Sequence, residues 1–221
     1  MTQKKMDMHL KHGLLIVLEG IDGSGKSTLA YNLTNTLQAV GVDVLLTKES
    51  GGTPLGQRLH DIVQRQEVEI CDKAEYLLFA ADRAQHMHEV IEPALEQKKI
   101  VISDRMGDSS IAYQGYGRGL DVDMIELINN WAQNNYIPDL TIYIDIDIDT
   151  AYSRRVKRGK QEVDSIFELE QKEFMSKVIE GYRAIMKKKQ HIIILDGKES
   201  ADRLISEAFE KVMTWIKEKY L

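Results

Sequence analysis

A single cysteine, Cys71, stands in 221 residues, which excludes an intrachain disulfide and a thiolate zinc site. The expected compartment is the reducing cytoplasm. Only three prolines occur, and no stretch rich in Pro, Gly or Ser, no low-complexity tract and no internal repeat marks a linker or an array. No run approaches the roughly 20 apolar residues of a membrane span. The opening MTQKKMDMHLKH is polar and lacks the apolar core of a secretory signal, so neither export nor a membrane partner is expected. Positive charge is short as well: 29 Lys and Arg face 35 Asp and Glu, a formal net charge of −6. A protein that grips nucleic acid through a broad basic face needs the opposite balance. No nucleic-acid partner is expected, and only a local basic pocket is compatible.

What is present suits one α/β domain spanning 1–221, with a polar tail over 1–12. Apolar residues make up 43% and charged ones 29%, ordinary for a chain that buries a core. Short apolar runs predict strands over 14–19, 42–48, 99–104, 140–146 and 191–196. Amphipathic stretches over 26–40, 72–97, 121–134, 149–158, 167–189 and 199–219 predict helices between them. That alternation predicts a five-stranded parallel sheet flanked by helices. Phe167, Phe174, Val178, Tyr182 and Ile185 recur at helical spacing and read as core. The polar 159–166 reads as a flap, and 154–166 as a short lid.

LEGIDGSGKST, residues 18–28, carries the strongest signal. Gly20 to Ser27 matches G-x-x-x-x-G-K-[ST] between a predicted strand and a predicted helix, the context of a P-loop NTP hydrolase fold. Gly20, Ile21, Asp22, Gly23, Ser24, Gly25, Lys26, Ser27 and Thr28 are therefore assigned to a nucleotide polyphosphate. The glycines let successive N–H groups turn inward, Lys26 adds charge, the Ser27 hydroxyl suits Mg²⁺, and the helix N-terminus adds its dipole. GTPases, ATPases and small-molecule kinases all use this loop. Asp22 puts a carboxylate inside it. That group either faces a second ligand, away from the repelling triphosphate, or is a solvated turn residue.

Other residues offer chemistry with bland alternatives beside it. Phe79 and Arg83, four apart on a helix, share a face that would stack and hydrogen-bond a pyrimidine, or else pack in the core and pair on the surface. Asp104 and Arg105 follow the third strand, where open α/β sheets place ligands. Arg105 offers a planar fork to a phosphate and Asp104 a ligand to Mg²⁺, unless the two form a structural ion pair or a cap. His86 and His88, two apart on a helix, point to nearly opposite sides and clamp no metal. Lys187 to Lys189 read as a solvated helix end.

TKESGGTPLGQ (47–57), AEYLLFAADRAQH (74–86), VISDRMGDSSIAYQG (101–115) and PDLTIYIDID (138–147), with the P-loop, resemble the bacterial thymidylate kinases in order and interval, from about Leu14 to the C-terminus. The resemblance implies phosphoryl transfer from ATP to dTMP, giving dTDP and ADP for dTTP synthesis, with Mg²⁺, by a homodimer with a helical interface. It implies that Asp22 faces the acceptor's 3′-hydroxyl and an arginine. Lys26, Arg105 and Mg²⁺, the last on Ser27 and Asp104, form the electrostatic clamp. Acceptor positions are Asp22, Lys48, Glu49, Phe79, Arg83, Arg105, Ser110, Tyr113 and Gln114, with Tyr113 near the 2′ carbon and Gln114 at the base edge. A lid cation is expected from Arg154, Arg155, Arg158 and Lys160, with Arg158 counted as catalytic.

Three departures from that pattern widen the possibilities. The usual Arg-Glu-Pro reads Lys48-Glu49-Ser50, the usual tyrosine after Asp-Arg is Met106, and the flap's Asp-Arg reads Asp164-Ser165. A kinase for another deoxynucleoside monophosphate or a deoxynucleoside, and a catalytically weak nucleotide-binding protein, stand as alternatives.

Overall fold

The computed structural model describes residues 10–65, 67–157 and 172–220, the side chains of 155 and 156 excepted. In chain order the elements are β1 (Leu14–Glu19), α1 (Lys26–Ala39), β2 (Val44–Lys48), α2 (Pro54–Arg65) and α3 (Asp72–His86). A π-helical stretch, Met87–Ile91, leads into α4 (Glu92–Glu96), followed by β3 (Ile100–Asp104), α5 (Gly107–Ser110) and a second π-helical stretch, Ile111–Gly117. Then come α6 (Val122–Ala132), β4 (Leu140–Asp145), α7 (Ile148–Lys157), α8 (Lys172–Met186), β5 (Ile192–Asp196) and α9 (Ala201–Tyr220).

All five strands are parallel, in the order β2-β3-β1-β4-β5. The strand LLIVLE, apolar up to its closing Glu19, is buried at every position, as a central parallel strand covered on both faces must be. Leu14, Ile16 and Leu18 pack with α1 and α9 on one face. Leu15 and Val17 pack with Met87 and Ile91 on the other. Leu18 stands opposite Asp104 of β3 and Ile142 of β4, so the loop after β1 opens between the ends of its two neighbours, where the strand order reverses.

The expected strands are present, with small end shifts. The helix expected over 72–97 is divided by the π-helical stretch just before Pro93; proline lacks the N–H that a continuous α-helix needs there. Helix α2 is an addition. Thr53 caps it by accepting from the Gly56 N–H at 2.9 Å, and Pro54 fills the first helical position. The segment 107–117 is also helical, beyond the expected elements. Phe174, Val178, Tyr182 and Ile185 are buried as predicted. Phe167, the flap 159–166 and residues 1–9 of the tail lie outside the described residues. Among the described residues no helix is long and apolar enough to cross a membrane.

Candidate active site

The loop after β1 turns through three left-handed glycines, Gly20, Gly23 and Gly25, with φ of 145°, 86° and 103°. A Cβ on Gly25 would meet nothing within 4 Å; the dihedral alone demands glycine there. Ile21 buries its side chain and contributes its carbonyl, which accepts from Lys26 Nζ at 2.9 Å. Burial, aided by Arg105, pulls the Lys26 amine down to about 8. Ser24 Oγ is buried with no protein partner. Ser27 Oγ, on the first turn of α1, donates to Asp104 Oδ2 at the end of β3. Asp104 Oδ1 is buried with no partner. A hydroxyl joined to a carboxylate with an orphaned oxygen suits Mg²⁺, which takes one or two protein oxygens and completes its shell with phosphates and water.

Arg105 is the best-anchored residue of the site. Its φ of 76° is left-handed, and its backbone is held on both sides: the N–H donates to Leu18 O at 3.0 Å and its carbonyl accepts from Ser103 Oγ at 2.7 Å. Its guanidinium pairs with Asp22 through Nη2 and donates through Nη1 to Ser109 Oγ and Tyr182 Oη, both at 2.9 Å. The Tyr113 ring lies 5.2 Å beneath it. Behind them sits Glu19, fully buried, which accepts from the Met106 N–H at 3.0 Å, Ser109 Oγ at 2.7 Å and Tyr182 Oη at 3.0 Å. Burial first, then Asp108, pushes the Glu19 carboxyl up to about 7.

A cavity of about 260 Å³ joins this cluster to the remaining predicted acceptor residues: Lys48, Glu49, Phe79, Arg83, Ser110, Tyr113 and Gln114 all line it with Asp22, Lys26, Ser27, Asp104 and Arg105. Arg83 is buried and triply held, to Glu49 Oε2 at 3.0 Å, Asn129 Oδ1 at 2.6 Å and Ser110 Oγ at 3.0 Å. These bonds use three of its five N–H groups. His86 bonds Glu49 Oε1 through Nδ1 at 3.2 Å and Thr47 Oγ1 through Nε2 at 2.6 Å, so this histidine braces a carboxylate. Ser50 Oγ meets His60 Nδ1 at 2.6 Å, and the Glu49–Ser50 peptide is cis. Gln114 Nε2 donates to Glu75 Oε1 at 3.0 Å.

Gly25 and Thr28 line a different cavity, with Ser24, Arg154, Glu199 and Ser200. Arg154 reaches the Glu199 carbonyl at 3.2 Å and the Ser24 carbonyl at 3.5 Å. It therefore braces the P-loop from α7, where the sequence reading grouped it with the lid. The Arg155 side chain, Arg158, Lys160, Asp164 and Ser165 lie outside the described residues.

Sequence reasoning missed Glu19, Glu75, His86, Ser109, Asn129, Tyr182 and the segment at Glu199. Glu19 had a signal, as a charge closing an otherwise apolar strand. Tyr182 had none, because its spacing is that of a core residue.

Comparison with known proteins identifies the family. The thymidylate kinase family model matches residues 18–208. The thymidylate kinase of Halothermothrix orenii is 42% identical over 200 residues, covering 90% of this chain and 96% of its own. That of Kosmotoga olearia is 37% identical over 205 residues, covering 92% and 97%, and that of Clostridium novyi 35% over 209 residues, covering 94% and 100%. The matched span holds the P-loop, Arg105 and Gln114 together, and the chain belongs to the thymidylate kinase family of ATP-dependent nucleoside monophosphate kinases.

Proposed function

We propose that this chain transfers the terminal phosphoryl group of ATP to dTMP, giving dTDP and ADP, as a cytoplasmic homodimer that uses Mg²⁺. The observation that carries the reading is the Asp22–Arg105 pair, a P-loop carboxylate joined to a strand-end arginine in one cavity with Phe79, Arg83 and Gln114. The same Asp22 oxygen lies 3.8 Å from Lys26 Nζ, so the carboxylate stands between the loop lysine and the strand-end arginine, and an ionised carboxylate can accept from a sugar hydroxyl as well.

An acceptor phosphate oxygen attacks the terminal phosphorus of ATP; the new O–P bond forms as the bond to the bridging oxygen breaks, and ADP leaves. The acceptor oxygen is already anionic, so no side chain need remove a proton. Positioning and charge neutralisation are the protein's task. Lys26 and the P-loop N–H groups hold the donor phosphates, Arg105 meets the acceptor phosphate, and Asp22 takes the 3′-hydroxyl while keeping Arg105 aimed. Phe79 stacks on the base, the two uncommitted N–H groups of Arg83 reach its carbonyl, and Lys48 stands on the cavity wall. Mg²⁺, on Ser27 and Asp104, would neutralise charge on the phosphate oxygens.

The homodimer reading rests on α2, α3 and α6. These helices pack side by side, α2 on α3 and α3 on α6, yet expose Leu55, Ile62, Leu77, Met124, Leu127 and Trp131, the last at 77%. Apolar side chains exposed on neighbouring helices support the homodimer reading, since such surface is suited to a partner.

An ADP-release assay with dTMP, dUMP, dCMP, dGMP and thymidine tests the activity. The reading requires dTMP to give the highest kcat/KM; a preferred purine nucleotide, or ATP binding without turnover on any acceptor, overturns it.

A further inference from the structure

Gln114 lines the acceptor cavity, but its orientation is set from behind. It lies on the π-helical stretch Ile111–Gly117 and is 2% exposed. Its Nε2 donates to Oε1 of Glu75 at 3.0 Å. Glu75, on the first turn of α3, is 3% exposed and does not line the cavity. Arg118 Nη2 stands 3.5 Å from its other oxygen, and Arg118 Nε lies 3.5 Å from Asp72. The buried carboxylate thus has a cation beside it, as burial demands.

A carboxylate only accepts hydrogen bonds, whereas an amide has a donating and an accepting end. Set against Glu75, the amide has one favourable orientation, NH₂ toward the carboxylate. Its carbonyl oxygen is then the group offered to the cavity. Arg83, on the same wall, offers only donors.

We propose that Glu75 is a positioning residue that fixes the polarity of Gln114, so that the cavity selects a pyrimidine with a ring N–H beside a carbonyl and rejects one with a ring lone pair beside an amine. This inference rests on the acceptor reading above. Thymine and uracil present N3–H next to a carbonyl and complement an acceptor beside a donor. Cytosine presents the reverse at both positions, leaving buried polar groups opposed, which is the strongest basis for rejecting an analogue.

The test compares kcat/KM for dTMP and dCMP in the wild type, in Glu75→Gln, and in the exchanged pair Glu75→Gln with Gln114→Glu. Glu75→Gln lets both amides turn over, so the dTMP-over-dCMP preference should fall by about tenfold or more, with the KM for ATP unchanged. The exchanged pair again leaves only an acceptor facing the base and should recover most of the preference, which a loss of packing alone would not allow. Independently of any variant, wild-type protein should bind N3-methylated dTMP at least about tenfold more weakly than dTMP. An undiminished preference in Glu75→Gln, or equal binding of N3-methylated dTMP, overturns the role of Glu75 and leaves the acceptor reading standing. A wild type that turns over no pyrimidine monophosphate overturns both.

Discussion

Arg105 and Tyr182, 77 positions apart in the chain, meet in a hydrogen bond of 2.9 Å from the guanidinium to the phenol oxygen. The same hydroxyl donates to Glu19 at 3.0 Å. A residue with the spacing of core packing therefore also aims the arginine assigned to the acceptor phosphate.

Tyr182→Phe keeps the ring against Tyr143 and Tyr113 and removes only the hydroxyl. Stability should fall by about 1–2 kcal/mol, because a bond to a buried carboxylate is lost. The kcat with dTMP should drop about tenfold, as misplaced positioning groups cost rate. ATP affinity, governed by the other side of the loop, should hold. Steady-state kinetics with each substrate varied, beside a urea melt, reads all three.

Asp104→Asn removes the charge from the orphaned oxygen that fits Mg²⁺. The Mg²⁺ concentration for half-maximal rate should rise about 10- to 100-fold, and saturating Mg²⁺ should recover part of the rate. A Mg²⁺ titration at fixed ATP and dTMP checks this; an unchanged midpoint removes Asp104 from the metal site.

Two buried groups give pH signatures in different observables, stability for one and ATP use for the other, and both decline as pH rises. Glu19 is raised from 4.5 to about 7, so between those values the folded protein holds its proton more tightly than the unfolded chain. Its contribution is fully present below about 4.5 and is lost as pH rises through about 7, by up to about 3 kcal/mol. Urea unfolding across that window should slope downward in the wild type and flatten in Glu19→Gln. Lys26, lowered to about 8, should make kcat/KM for ATP fall above that pH, as the free enzyme's amine neutralises. The matching limb in kcat should lie higher, since bound phosphates favour the charged amine.

Leu127→Glu with Trp131→Glu places charges on the exposed face of α6. Light scattering should show a dimer for the wild type and a monomer for the double variant at the same concentration, with an intact circular dichroism spectrum. Persistence of the dimer would move the interface elsewhere.

The sheet and the P-loop were legible because buried parallel strands are written as unbroken apolar runs, and because phosphate cradles need glycine at fixed steps. Helix α2 was harder. Its Leu55 and Ile62 are exposed rather than packed in a core, and its start signal, Thr53-Pro54, sits inside a motif better known for its loop. The predicted acceptor residues line one cavity, yet what holds them was hidden. The brace of Arg83 joins it to Glu49, Ser110 and Asn129, four residues from four separate segments. Only the sheet order, which sets β3 between β1 and β2, brings them together. Glu75 and His86 likewise look like helix-surface residues until the fold buries them.

A crystal structure with a non-hydrolysable ATP analogue and dTMP tests the central claim most directly. The account predicts the acceptor's 3′-hydroxyl on Asp22, its phosphate at Arg105 and its ring on Phe79, with the analogue's phosphates in the loop at Lys26. Thymidylate bound away from Asp22, with the cavity beside Phe79 and Gln114 empty, would contradict it.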